Sequence, residues 1–168
     1  MANLIDCKRR CAFTGHRPEK LKQAEEYIIS ALYAEIQYAI ADGFDTFISG
    51  MARGVDIWAA EIVLRLRNEG ASIQLICACP YKGFEDRWSA TWKSRYRSIL
   101  QASNQIVYIN PKYSPDCYQK RNIWMVDHSS RVIAVYNGLP GVQKSASQPH
   151  LHAVWAPPCR SFSPTFTL

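Results

Sequence analysis

Two kinds of apolar pattern alternate along this chain. Short, nearly continuous apolar runs occupy residues 9–14, 45–49, 73–79, 105–109 and 131–136. Between them, apolar residues recur at steps of three and four over residues 23–41 and 54–68, in the later part of 81–102, and over 117–130. Runs of the first kind predict buried strands, and the second spacing predicts amphipathic helices.

The strict alternation of these elements indicates the fold class. Strands that alternate with helices form an open sheet with mostly parallel strands and right-handed crossovers. We therefore predict an α/β fold with a sheet of about five strands and helices on both faces. The pattern ends near Gly141, so residues 1–141 are predicted to form one domain.

The remaining residues, 142–168, follow neither period. They contain four prolines, and Ser, Gln and Pro dominate their first part. Such composition is poor for a helix and poor for a strand. We expect an atypical tail that is irregular or disordered.

One edge of the predicted sheet collects the polar and glycine-rich turns. In open α/β sheets, ligands bind beyond the carboxyl ends of the strands, where the strand order reverses. The turns that follow strands one, two, three and five are Gly15-His16-Arg17, Gly50-Met51-Ala52-Arg53-Gly54, Pro80-Tyr81-Lys82 and Asn137-Gly138. This edge is therefore the predicted functional surface.

The turn after strand two leads directly into a helix. Gly50 and Gly54 bracket it, and Asp56 lies in the first helical turn. The free N–H groups and the dipole of a helix N-terminus favour an anion such as phosphate, and Asp56 is suited to a ligand hydroxyl. The alternative is an ordinary strand-to-helix connection in which Asp56 caps the helix. Spacing alone leaves both interpretations open.

Charge and composition restrict the partners. The formal net charge is +6, which fits an anionic partner, either a nucleotide or a nucleic acid. The six cysteines lack zinc spacing and partly lie in strand-like runs, so we expect free thiols and no metal site. No apolar run is long enough to span a bilayer and no secretory signal is visible, so we expect a cytoplasmic protein without a membrane partner.

Three stretches together resemble the YpsA-like branch of the SLOG superfamily, a Rossmann-like group that includes the Smf/DprA and LOG proteins. The stretches are Phe13-Thr14-Gly15-His16-Arg17-Pro18, residues 49–61, and Ala134-Val135-Tyr136-Asn137-Gly138, with Pro80-Tyr81 and Arg87-Trp88 as further matches. The resemblance covers residues 9–141. It implies a Rossmann-like fold that binds a nucleotide or nucleotide-derived ligand, such as NAD or an ADP-ribose derivative, over these turns.

The resemblance also assigns site residues. The implied ligand-binding residues are Thr14, Gly15, His16, Arg17, Ser49, Gly50, Arg53, Gly54, Asp56, Asn137 and Gly138. Trp58 and Glu61 would support them from behind, although Glu61 is also placed to pair with Arg65 four residues later. A substitution such as Gly54→Glu is expected to abolish binding and to leave the fold intact.

The chain departs from the family after strand five. Family members continue with a second glycine-rich turn and a helix, whereas Gly141 is followed here by Val142-Gln143-Lys144-Ser145. The LOG signature Pro-Gly-Gly-x-Gly-Thr-x-x-Glu is likewise not continued after Leu139-Pro140-Gly141. No catalytic residue is therefore assigned.

Three functions follow from these observations. The first is binding, or sensing, of a nucleotide-like small molecule. The second is hydrolysis of an N-glycosidic or phosphate bond in such a ligand, with Asp56 or Glu61 polarising ribose or water. The third is DprA-like binding of single-stranded DNA through Lys93, Arg95 and Arg97, although the neighbouring Trp88, Trp92 and Tyr96 have the spacing of a packed helix face. A homo-oligomer is compatible with all three functions.

Overall fold

The computed structural model describes residues 7–136 and 151–155. Its elements are β1 (Arg10–Gly15), a short 3-10 turn (Pro18–Lys20), α1 (Glu25–Ala41), β2 (Thr46–Ser49), α2 (Val55–Asn68), β3 (Gln74–Cys79), α3 (Ala90–Ala102), β4 (Gln105–Tyr108), α4 (Cys117–Asp127), β5 (Arg131–Val135) and β6 (Leu151–Trp155). The strands and helices predicted between residues 9 and 136 are all present.

The strands form one sheet in the order β4-β3-β2-β1-β5-β6. The first five strands are parallel, and β6 pairs antiparallel with β5 at the edge. The predicted α/β fold with a mostly parallel sheet is thus confirmed. Strand β6 was not predicted, because the sequence around it lacks a strand period; the rest of the predicted tail and the domain boundary at residue 141 lie outside the described residues.

Helices cover both faces of the sheet, as predicted. On one face, Phe13 and Phe47 stack with ring centroids 5.9 Å apart and pack among buried residues of α1, α2 and α3. On the other face, Ala12 and Ile48 pack with Met125 of α4. Neighbouring strand residues therefore serve different cores, which is why these strands appear as continuous apolar runs.

The strand order creates a crevice next to β1. The chain builds β1 to β4 outward in one direction and then returns to place β5 on the other side of β1. The order therefore reverses between β1 and β5, and the loops after these strands lie at the position where ligands bind in open α/β sheets. None of the described helices is long and apolar enough to cross a membrane.

One cysteine differs from the expectation of free thiols. Cys7 is disulfide-bonded, whereas Cys11, Cys77, Cys79 and Cys117 are free and buried. The expectation was based on thiols in strand-like runs, and Cys7 precedes β1 rather than lying within it. Burial raises the pKa of the Cys11 thiol to about 12, so this residue is an inert part of the core.

Gly15 at the end of β1 allows α2 to pack closely. A Cβ atom at this position would lie 2.5 Å from Cγ2 of Val55, the first residue of α2. We predict that Gly15→Ala lowers the free energy of unfolding by about 1–3 kcal/mol, because Val55 is buried and stiff. Urea unfolding checks this. In a Val55→Ala background the same change should cost less, and an equal cost in both backgrounds would contradict the contact.

Candidate functional site

The loop between β2 and α2 is shaped by its own hydrogen bonds. The Ser49 hydroxyl donates to the carbonyl of Asp56 at 2.8 Å and accepts from the amide of Met51 at 3.1 Å. Met51 is fully buried and adopts a positive φ of 60°, which is unusual for a residue other than glycine. The Ser49 side chain therefore holds the loop in shape, and it has both partners within the protein.

A buried arginine from the opposite face of the sheet completes this loop. Arg121 of α4 donates from Nη1 to the carbonyl oxygen of Gly50, and the same nitrogen lies 3.7 Å from Oδ2 of Asp56. Asp56 Oδ2 also accepts from the amide of Ala52 at 3.2 Å. A Cβ on Gly50 would lie 2.6 Å from Arg121 Nη1, so only glycine leaves room for the guanidinium.

Arg121 was not among the predicted site residues. The buried residues of α4 are Cys117, Arg121 and Met125, which are four residues apart and therefore share one helix face. A charged residue on an otherwise apolar stripe is rarely buried without a partner. The position of Arg121 on this apolar stripe could have indicated from the sequence that it is buried and paired. It does not indicate which carboxylate is the partner.

Burial controls the ionisation of Asp56. Desolvation raises the pKa of its carboxyl to about 6, and the Arg121 charge and the Ala52 amide oppose that rise. The carboxyl lies beneath the loop and does not line the pocket described below. Asp56 is thus placed as an internal support of the loop: its carboxylate accepts from Ala52, which precedes α2, and the helix has no side-chain cap.

The turn after β1 packs over the start of α2. Gly54 precedes α2 with φ 92°, and a Cβ there would lie 2.8 Å from Cδ of Pro18. The helix N-terminus is therefore covered by Pro18, whereas an open terminus was expected. The expectation for Gly54→Glu changes accordingly, because a side chain at this φ and this distance would strain the fold as well as the loop.

The remaining predicted residues of the first turn lie near β5. The His16 amide donates to the Val135 carbonyl at 3.2 Å, and the His16 ring meets the edge of Tyr136 at a centroid distance of 5.7 Å. Thr14 is half-buried and pairs in register with Ala134. Asn137 and Gly138 lie outside the described residues.

A pocket of about 780 Å³ opens beside these loops at the carboxyl edge of the sheet. It is lined by Arg17, Arg53, Tyr81, Gly83, Phe84, Asp86, Arg87, Trp88, Ser89, Tyr113 and Tyr118. Its volume lies within the range of roughly 300–1,000 Å³ that is typical of small-molecule sites. The pocket brings together the predicted Arg17 and Arg53 and adds the loops that follow β3 and β4.

Aromatic rings form one wall of this pocket. The Tyr81 ring meets Tyr113 and Phe84 edge to face, each at a centroid distance of 5.8 Å. Phe84 in turn contacts Trp88 at 4.9 Å and Tyr118 at 5.8 Å. The sequence analysis missed Tyr113 and Tyr118, and the only signal was the density of aromatic residues in the two loops.

The charges in the pocket are mainly positive. Three arginines, Arg17, Arg53 and Arg87, share it with one carboxylate, Asp86. Arg53 Nη1 also pairs with Glu19 Oε1 at 2.8 Å. Guanidinium groups suit phosphate oxygens because their donors form a planar fork.

Trp58 and Glu61, the two residues predicted to support the site, both make contacts with α3. Trp58 is buried in the core and packs against Trp92, and neither Trp58 nor Glu61 lines the pocket. Glu61 accepts two hydrogen bonds from Arg95 of α3, at 2.7 and 2.6 Å. The predicted partner Arg65 instead pairs with Glu69. Periodicity within one helix indicated Arg65, but packing of α2 against α3 brings Arg95 closer.

The same contact involves one of the three α3 cations on which the DNA-binding hypothesis depends. Arg95 is bound to Glu61 and lies 3.6 Å from Glu25, and Arg97 lies 3.5 Å from Glu85. Tyr96 is buried, as its spacing predicted. Among residues 7–136 and 151–155, no group of three or more His, Cys, Asp or Glu side chains is placed to hold a metal ion.

Comparison with known proteins supplies a family. The model of the YspA SLOG family matches residues 11–147. A UPF0398 protein of Bacillus pumilus is 28% identical over 134 residues, which are 75% of this chain and 72% of that protein. The uncharacterized SPbeta prophage-derived protein YoqJ of Bacillus subtilis is 34% identical over 104 residues, or 55% of this chain and 61% of YoqJ. UPF0398 protein BH1768 of Halalkalibacterium halodurans is 28% identical over 113 residues, and the chain covers 60% of it.

The raised pKa of Asp56 predicts a pH-dependent stability. Between the ordinary value of 3.8 and about 6, the folded carboxyl keeps a proton that the unfolded chain has lost. Stability should therefore fall as the pH rises through this window, by roughly 3 kcal/mol from this group, and then level off. Urea unfolding across this range checks it. Asp56→Asn should flatten the profile, while an equally steep profile in that variant would exclude Asp56 as the source.

Proposed function

This chain belongs to the YspA SLOG family, and we propose that it binds a nucleotide or nucleotide-derived molecule in the pocket at the carboxyl edge of its sheet. The observation that carries the proposal is the composition of that pocket. Three arginines and an aromatic wall line a single cavity of about 780 Å³. Nucleotides combine an aromatic base with phosphate charges, and both requirements are met within one site.

The aromatic wall supplies the base-binding side of the proposed site. Tyr81 is half-buried, whereas Tyr113 is 59% exposed and free to receive a ring. Burial and the neighbouring Tyr118 raise the pKa of Tyr81 to about 12. Stacking of a base on an aromatic side chain is worth about 1–3 kcal/mol.

The arginines supply the phosphate side. Arg17 follows β1 and Arg53 follows β2, so the two strands bring cations from separate turns to one cavity. Arg87 adds a third cation from the segment after β3. Ser49, Gly50, Gly54 and Asp56 act beneath this surface in the proposal: they set the shape of the loop that presents Arg53. Gly15 and His16 play the same part for the turn that presents Arg17.

The positions of Asp56 and Glu61 disfavour the hydrolysis that would use these two carboxylates. Neither Asp56 nor Glu61 lines the pocket: Asp56 is buried against Arg121 and Glu61 is occupied by Arg95. Single-strand binding along α3 is disfavoured in the same way, because Arg95 and Arg97 already face carboxylates. The choice among adenosine nucleotides, NAD and ADP-ribose stays a prediction, as does the cytoplasmic location.

Calorimetric titration with ADP, NAD and ADP-ribose tests the proposal. We expect Tyr113→Ala to weaken binding of the accepted nucleotide about tenfold through lost stacking, with the melting temperature unchanged because the side chain is exposed. Tyr38→Ala is the matched control, since Tyr38 is 65% exposed on α1 and does not line the pocket.

Failure of all three compounds to bind would contradict the proposal. Chromatography of the same mixtures after incubation separates binding from catalysis: release of free base or ribose phosphate would favour the hydrolase. Tight, salt-dependent binding of an oligonucleotide together with no binding of the mononucleotides would favour the DNA-binding alternative.

A further inference from the structure

One of the protein's own carboxylates pairs with an arginine that lines the pocket. Glu19 lies in the short turn Pro18–Lys20, two residues after Arg17. Its Oε1 atom is 2.8 Å from Nη1 of Arg53. Arg53 lines the pocket, so an anionic ligand that reaches its guanidinium meets Glu19 as a competing partner.

The surroundings of Glu19 are those of an anion site. Its pKa lies below the ordinary value because of a hydrogen bond from its own backbone, and the charges of Arg53 and Arg17 lower it further. The carboxylate is therefore ionised at neutral pH. The Arg53 guanidinium that binds this carboxylate is a group of the kind that binds phosphate oxygens.

The ion pair between Glu19 and Arg53 is weak enough for an anionic ligand to displace Glu19. The Glu19 side chain is 57% exposed, and ion pairs at exposed positions contribute little to stability. A phosphate group carries up to twice the charge of a carboxylate and three acceptor oxygens. A phosphate that reaches Arg53 is thus able to replace Glu19, whereas a singly charged carboxylate offers no gain over it.

We propose that Glu19 is an internal competitor for the phosphate-binding position of this pocket. In the free protein it pairs with Arg53, and a phosphate or diphosphate group displaces it on binding. This inference rests on the proposed function, because it concerns the same pocket. It also specifies the ligand: the group that meets Arg53 is a phosphate or diphosphate group that carries more than one negative charge in total.

Calorimetric titration of the full chain with inorganic pyrophosphate tests the inference without a base. We expect Glu19→Gln to bind pyrophosphate about two- to fivefold more tightly than wild type, because an exposed ion pair of ordinary strength no longer has to be broken. Glu69→Gln is the matched control: it removes the same charge and an ion pair with Arg65 at the far end of α2. This control should bind as wild type does.

The effect must act through Arg53. In an Arg53→Gln background, Glu19→Gln should give no further gain, since the competed group is missing. Equal affinities of wild type and Glu19→Gln, a similar gain in Glu69→Gln, or a gain that persists without Arg53 would each overturn the inference. If Glu19→Gln strengthens pyrophosphate binding and no nucleotide binds, the role of Glu19 is supported and the proposed function is contradicted. If nucleotides bind and Glu19→Gln leaves their affinity unchanged, the proposed function is supported and the role of Glu19 is contradicted.

Discussion

The buried guanidinium of Arg121 connects the two faces of this protein. It comes from α4 on one side of the sheet and reaches the loop that leads into α2 on the other side. Removing a charge from water is costly, and here that cost is offset by a carboxylate and a backbone carbonyl. Gly50 is glycine because the guanidinium needs its space, and Asp56 is held beneath the loop because it faces Arg121.

The site therefore has two layers. The lower layer consists of buried groups whose hydrogen bonds are satisfied within the protein, such as the Ser49 hydroxyl. The upper layer consists of exposed arginines and aromatic rings from four separate loops. Ser49, Gly50 and Asp56 belong to the lower layer, while the side chains that line the pocket lie around them.

This division explains how far the site could be predicted. The resemblance pointed to turns that lie at the carboxyl edge of the sheet, and the strand order brought Arg17 and Arg53 into one pocket as expected. It did not distinguish groups that face inward from groups that face the cavity, because a turn of a few residues contains both. Tyr113 and Tyr118 were missed because one lies in the loop after β4 and the other in the first turn of α4, and no common period indicates that they share a cavity.

The sequence by itself determined the order and type of the elements from β1 to β5. The reason is that apolar periodicity depends on which side of each helix or strand is buried, and not on which distant residues cover that side. The sequence also predicted a functional edge, because parallel strands place the turns that follow them on one side. Only the tertiary structure decided the partners of charged residues. Glu61 meets Arg95 and Asp56 meets Arg121 across large separations in sequence. Such pairings depend on how the helices pack on the sheet, and the spacing of residues within one helix does not determine that packing.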